Sequence, residues 1–168
     1  MLAGPAFYQD AFEHEITANH AMLKMLASVP EANRADARFQ RAVNLASHMV
    51  ICREGFLNAF LNPGAELPNP FEDNADFATL ESRFAKMEAD WQAYLSGLQN
   101  IEGMFTFSDN GERWKINLEA QIFQLVGHAA YHRGQVVLLV DQLGGETTDT
   151  DYIEWFTATH PGGWAAAD

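Results

Sequence analysis

The chain is poor in cysteine, in basic residues and in long apolar runs. Its single cysteine, Cys52, excludes an internal disulfide and is typical of a reducing compartment. Ten basic residues against 23 acidic ones give a net charge of −13, which repels phosphate backbones and anionic membrane surfaces. No apolar run approaches the ~18 residues that span a bilayer, and no N-terminal stretch has the pattern of a signal peptide. We therefore expect a soluble cytoplasmic protein that binds neither nucleic acid nor membranes.

Apolar residues, by contrast, are abundant. They make up 48% of the 168 residues and include 12 phenylalanines, a composition typical of a globular protein. This length suffices for one sizeable core and leaves little room for two. We predict a single domain over residues 1–168, with a loosely packed tail from about residue 157, because Pro161 and two glycines follow there.

Apolar residues recur with the helical period in four segments. These segments are residues 6–28, 34–61, 79–98 and 119–143. Thr79 is the predicted N-cap of the third helix, and Gly144 is predicted to end the fourth.

Between the third and fourth helices the period changes to two. Residues 104–108 and 113–118 alternate like strands around Asn110-Gly111, the preferred centre of a type I′ hairpin turn. The linker 62–76 can extend to roughly 50 Å, whereas a helix of about 25 residues is only ~38 Å long. The second and third helices can therefore run parallel. We predict an all-α, up-down-down-up four-helix bundle with a small β-hairpin before the last helix.

Two histidines of the last helix lie where a core is expected. His128 and His132 are four residues apart on the most apolar stripe of that helix. A buried imidazole without partners costs about 1–3 kcal/mol, and an i, i+4 pair can share a transition metal. On the second helix His48 also lies on an inward stripe. Three such imidazoles suit Zn²⁺, Ni²⁺ or Fe²⁺, and the alternative is a hydrogen-bonded core network without metal.

Other residues near these positions allow further interpretations. We expect His14 on a solvated helix face and His160 to be exposed, whereas His20 can lie on either side. Cys52, one turn from His48, is either a thiolate ligand or, as we favour, a small buried hydrophobe. Arg133 either caps a carboxylate of a neighbouring helix, as we favour, or binds substrate. Gly134 is expected to permit close helix packing, and Gly55 to leave space near the site or to allow a tight helix crossing.

The last helix carries a recognisable run. The sequence His128-Ala-Ala-Tyr-His-Arg-Gly-Gln135 resembles the C-terminal signature of the DinB/YfiT-like family, whose last bundle helix carries His-x-x-x-His-Arg-Gly-Gln. The hairpin and residues 151–155 also resemble that family, so the resemblance covers nearly the whole chain. It implies one divalent metal held by His48, His128 and His132. Family members often have an acidic residue where this chain has Arg53, with Glu54 beside it.

The resemblance also implies a function. It points to a metal-dependent enzyme that activates a thiol or water as nucleophile, either an S-transferase that uses a low-molecular-weight thiol or a hydrolase. A small-molecule substrate and a homodimer follow from the same resemblance. The alternative is a non-catalytic metal-binding or interaction protein of the same fold. Glu15, on the inner stripe of the first helix, and Glu54 are the candidate bases. The sequence places no base unambiguously beside the metal, so no catalytic residue is assigned.

Overall fold

The computed structural model describes residues 3–162, which are mostly helical. A two-stranded antiparallel hairpin stands before the last long helix, as predicted. No helix in this range combines the length and the apolar character needed to cross a membrane. The elements are α1 (Pro5–Ser28), a 3-10 turn (Glu31–Asn33), α2 (Ala37–Leu61), α3 (Phe77–Gly97), β1 (Met104–Asp109), β2 (Glu112–Asn117), α4 (Leu118–Gln142) and α5 (Tyr152–Thr159).

Side-chain caps set the starts of three long helices. Asp36, Asp76 and Asn117 each accept a hydrogen bond from a backbone N–H in the first turn of α2, α3 and α4. The prediction of Thr79 as the cap of α3 is wrong. The Asp76 carboxylate takes that role, and the Thr79 hydroxyl donates back to the Asp76 carbonyl at 2.8 Å.

The hairpin turn has the predicted geometry. Asn110 and Gly111 have φ angles of 52° and 77°, the left-handed pair that a type I′ turn requires. Phe105 of β1 packs edge-on against Phe60 of α2, with ring centroids 4.6 Å apart. The hairpin therefore packs against the C-terminal part of α2.

The core lies among the four long helices. α1 and α2 each pack against both α3 and α4. Burial of each large apolar side chain contributes about 1.5–3 kcal/mol. The largest fully buried side chains include Trp91, Phe84, Met22, Leu26, Leu80, Met87, Ile122 and Leu125.

The linker between α2 and α3 runs back along α2. A Cβ atom on Gly55 would lie 2.8 Å from Pro68 Cδ, so the linker passes very close to the helix there. Polar side chains of α2 then bind successive linker carbonyls, which satisfies backbone groups that have no regular partner. These contacts pair His48 with Pro70, Asn44 with Asp73 and Gln40 with Ala75.

The segment after α4 returns to α1. Tyr152 of α5 donates a hydrogen bond to Asp10 at 2.7 Å, and its ring packs edge-on against His14. Residues 157–159, where we expected the loose tail to begin, belong to the last turn of α5. Residues 163–168 lie outside the described residues.

Candidate metal centre

Three histidines meet between α2 and α4. His48 Nε2 lies 3.0 Å from His128 Nε2, which lies 3.1 Å from His132 Nε2. One ring nitrogen from each histidine lies within 4.8 Å of the other two. The structure thus brings together the three residues that the sequence singled out, although 80 residues separate His48 from His128.

Hydrogen bonds at the far side of two rings fix which nitrogen is free. His48 Nδ1 donates to the Pro70 carbonyl at 2.8 Å, and His132 Nδ1 donates to Gln135 Oε1 at 2.8 Å. A neutral imidazole has one N–H, so Nε2 of both rings carries a lone pair. His128 Nε2 can donate to at most one of them, which leaves lone pairs facing each other. A cation at the centre of the cluster removes this conflict.

The electrostatics of the cluster favour the neutral form of His128 and His132. Burial, reinforced by the neighbouring His132 and His48, lowers the pKa of His128 to about 4. Burial also lowers the pKa of His132, although its hydrogen bond with Gln135 opposes the shift. Both rings are therefore unprotonated at neutral pH, which is the form that binds metals.

Two of the three nitrogen separations are close to those of a single small cation. Tetrahedral ligands at zinc–nitrogen distances of 2.0–2.1 Å lie roughly 3.3 Å apart. The separations of 3.0 and 3.1 Å from His128 Nε2 are within a few tenths of an ångström of this value, and all three nitrogens lie within 4.8 Å of one another. Among residues 3–162, no carboxylate or thiol joins the three imidazoles in this cluster. Three histidines are one of several donor sets found in zinc sites that keep a fourth position for water or substrate.

Cys52 and Phe71 flank the His48 ring. Cys52 Sγ lies 3.7 Å from both ring nitrogens, and burial raises the pKa of this thiol to about 11. Cys52 does not belong to the group of three imidazoles, which favours the interpretation as a small hydrophobe over a thiolate ligand, although the residue is only partly buried. Phe71 of the linker stacks on the same ring, with centroids 4.9 Å apart and planes 7° from parallel.

The remaining histidines lie elsewhere. His14 is only 8% exposed, and its Nε2 donates to the Thr150 carbonyl at 2.9 Å. The prediction of a solvated His14 is wrong because α5 and the preceding segment cover this face of α1. His20, exposed over 56% of its side chain, pairs with Glu88, and half-exposed His160 pairs with Asp10.

The two candidate bases are engaged elsewhere. Glu15 is 1% exposed and forms an ion pair with Arg53. Glu54 lines an outer groove between α2 and α3 together with Lys86. Neither carboxylate belongs to the histidine cluster, so the position of a protein base remains unassigned.

Two expectations about the His132–Gly134 segment need correction. Arg133 is buried, and its Nη1 donates to the amide oxygen of Asn19 at 3.1 Å rather than to a carboxylate. A Cβ atom on Gly134 would meet nothing within 4 Å, so no other helix in the described part of the chain packs closely against this glycine.

At Gly55 the close neighbour is the linker, and not another helix.

Comparison with known proteins assigns the chain to a family. The sequence model of the DinB family matches residues 6–162, a span that includes all three histidines. The chain belongs to the DinB family. No curated protein and no solved structure matches it significantly. The family assignment and the histidine cluster together identify a site that could hold a metal ion.

Three neighbours of the imidazoles in this DinB-family chain were not predicted. Gln135 lies three residues after His132, and this spacing alone places both side chains on one side of the helix. The Pro70 carbonyl and the Phe71 ring come from the linker. No spacing in the sequence relates residues 70 and 71 to residue 48, because the path of the linker along α2 creates both contacts.

Proposed function

We propose that this DinB-family protein binds one divalent transition metal, Zn²⁺, Ni²⁺ or Fe²⁺, through His48, His128 and His132. The observation that carries the proposal is the arrangement of hydrogen bonds around the cluster. Pro70 and Gln135 hold the outer nitrogens of two rings, and the inner nitrogens converge with separations of 3.0 and 3.1 Å. Such outer partners fix ring orientation and raise the basicity of a ligand.

We further propose that the metal site is catalytic and acts on a small-molecule substrate. A metal ion with an open position lowers the pKa of a bound thiol or water, which supplies a nucleophile near neutral pH. The chain itself contributes orientation of the imidazoles by Pro70 and Gln135 and a ring of Phe71 that covers His48.

Transfer of a low-molecular-weight thiol to an electrophile is favoured over hydrolysis. Glu15 is paired with Arg53, and Glu54 lies in another groove, so neither is available as a base at the cluster. A thiol has an ordinary pKa of ~8.5, far closer to neutrality than the 15.7 of water. A thiol therefore needs less help from a protein base. The same observation supports the second candidate, a non-catalytic metal-binding or interaction protein.

The proposed architecture is an up-down-down-up four-helix bundle. Contacts at both ends of the helices support it. α1 and α4 run parallel, because Tyr8 contacts Glu119 near their starts and Ser28 contacts Glu146 near their ends. α2 and α3 also run parallel, with Phe39 against Phe77 near their starts and Phe60 against Tyr94 near their ends. α1 and α3 run antiparallel, because Gln9 at the start of α1 contacts Leu95 at the end of α3.

A homodimer in the cytoplasm is proposed as the working state. Phe123, Tyr131 and Leu138 are 61%, 65% and 57% exposed, and their spacing of eight and seven residues places them on one face of α4. Exposed apolar faces of this kind favour association. The cytoplasmic location is based on the single cysteine.

Metal analysis tests the site. The purified wild-type protein is expected to retain about one metal ion per chain, and His128→Ala is expected to lose it. His160→Ala is the matched control, because His160 pairs with Asp10 outside the cluster. Equal metal content in wild type and His128→Ala refutes the assignment.

Catalysis requires a separate test. Metal-loaded protein is incubated with a chromogenic electrophile and several cellular thiols, beside His48→Ala and His160→Ala. A rate that depends on both the thiol and His48 supports the transferase. A rate that persists without thiol supports hydrolysis, and equal rates in wild type and His48→Ala support the non-catalytic alternative.

A further inference from the structure

A cavity of about 160 Å³ lies beside the histidine cluster, between α2 and the linker. His48 belongs both to its wall and to the cluster. Cys52 and Ile51 extend the wall along α2, and Leu67 and Pro68 close it from the linker. A group bound in this cavity therefore contacts a residue of the metal site.

We propose that this cavity binds the apolar part of a small uncharged ligand whose donor atom reaches the metal. The preferred ligand is a thiol with a compact hydrocarbon group, such as a phenyl or short alkyl chain. The metal-binding part of this inference rests on the proposed function. The apolar preference of the cavity does not, since it follows from the lining residues alone.

The chemistry of the wall supports an uncharged ligand. Most of its side chains are apolar, and among the described residues no lysine or arginine lines the cavity. Asp109 is the one acidic residue among those of residues 3–162 that line it. A ligand that carries its own carboxylate or phosphate finds no counter-ion there and is repelled by Asp109. The cavity therefore discriminates against anionic thiols.

The size of the cavity limits the apolar group. A protein cavity of 150 Å³ lined by aliphatic and aromatic side chains binds benzene, so about 160 Å³ holds a group of similar size. The linker fixes this volume, because Pro68 already lies so close to α2 that a Cβ on Gly55 would be 2.8 Å from its Cδ. Longer chains must extend out of the cavity.

The first test uses metal-free protein and benzene as the probe. Backbone amide shifts in NMR spectra are expected to change around Ile51, Gly55 and Leu67. Leu67→Trp fills the cavity from the linker side and is expected to abolish these changes, as is Cys52→Leu, which fills it from α2. Leu61→Trp is the matched control, because Leu61 is 62% exposed and does not line the cavity.

The second test uses zinc-loaded protein and calorimetry with a series from ethanethiol to hexanethiol. Affinity is expected to rise about fourfold per methylene until the cavity is full, and Leu67→Trp is expected to flatten the series. Mercapto acids of equal length are expected to bind more weakly than the uncharged thiols. Asp109→Asn should reduce this difference, since it removes the acidic charge from the lining.

The two tests separate failure of this inference from failure of the proposed function. If benzene causes no shifts near the cavity, or if the shifts persist in both filled variants, the inference is overturned whether or not the protein binds zinc. An equal affinity for all alkanethiols in protein shown to contain zinc also overturns it. If the protein contains no zinc but benzene binds as expected, the proposed metal function fails while the apolar site stands.

Discussion

Arg53 of α2 forms a two-pronged ion pair with Glu15 of α1 inside the core. Arg53 Nε donates to Glu15 Oε1 at 3.0 Å, Nη2 donates to Oε2, and the two residues are 3% and 1% exposed. The guanidinium also lies 4.8 Å from the ring centroid of Trp91, a cation–π distance. Family members often have an acidic residue at position 53, where this chain has an arginine. The positive charge of Arg53 is neutralised by the Glu15 carboxylate from another helix.

Removal of one partner of this pair is expected to be costly. Arg53→Met leaves the Glu15 carboxylate buried without its cation and should lower the free energy of unfolding by about 3–5 kcal/mol. The double variant Glu15→Leu/Arg53→Met should lose much less, because neither charge then remains. Urea unfolding measures both. The control is Lys86→Ala, which breaks an exposed ion pair with Asp90 and should leave the urea midpoint nearly unchanged. If Arg53→Met also leaves the midpoint nearly unchanged, the prediction is refuted.

Gln135 is expected to tune metal affinity without being a ligand. Its Oε1 accepts the hydrogen bond of His132 Nδ1, so Gln135→Ala frees this ring to rotate. Loss of such an outer partner typically weakens metal binding by about 10–100-fold. Competition with a chromophoric chelator measures the affinity. Gln124→Ala on the same helix, where Gln124 contacts Gln121, should bind like wild type, and equal affinities in both variants would contradict the role of Gln135.

Burial of His14 predicts a pH-dependent stability. Burial lowers its pKa below the ordinary 6.5, so the unfolded chain binds a proton more strongly than the folded chain. The folded state is therefore expected to lose stability as the pH falls below 6.5. His14→Gln keeps a hydrogen-bond donor but cannot titrate, and its urea midpoint should fall less between pH 7.5 and 5. The comparison uses metal-free protein, and parallel pH profiles for variant and wild type would exclude His14 as a source.

Two glycines within helices predict opposite effects of alanine. A Cβ at Gly134 meets nothing within 4 Å, so Gly134→Ala should raise the free energy of unfolding by about 0.5–1 kcal/mol through helix propensity. At Gly55 the same change places Cβ 2.8 Å from the Pro68 ring and should cost about 1–3 kcal/mol. Thermal unfolding distinguishes them. If Gly55→Ala is instead more stable than wild type, the prediction is wrong and the linker shifts at little cost in free energy.

Local patterns sufficed for most elements and for the inward direction of the three histidines. Helical periods, the Asn110-Gly111 turn and the inward stripes of α2 and α4 depend on residues close in sequence, and the structure has the corresponding elements. The family resemblance was needed in addition to bring His48 together with the other two histidines. Periodicity along one helix shows which face a side chain lies on, but it does not show which other helix packs against that face.

Long-range contacts account for what the sequence did not predict. His14 lies in a polar run, Glu13-His-Glu15, yet Thr150 and α5 cover it from more than 130 residues away. Arg53 likewise finds its partner 38 residues earlier in the chain. Burial of a polar residue depends on which element covers it, and periodicity within one helix carries no information about that element.

The path of the linker along α2 has a consequence for the order in which the site can assemble. The His48 ring acquires its orientation from the Pro70 carbonyl, so the segment that follows α2 must dock before this imidazole is fixed. Residues 37–77 thus form a local unit whose contacts close short loops, and α4 joins it across a much longer one. We therefore expect the linker to orient the His48 ring before α4 brings its two histidines to the centre, because the shorter loop costs less chain entropy.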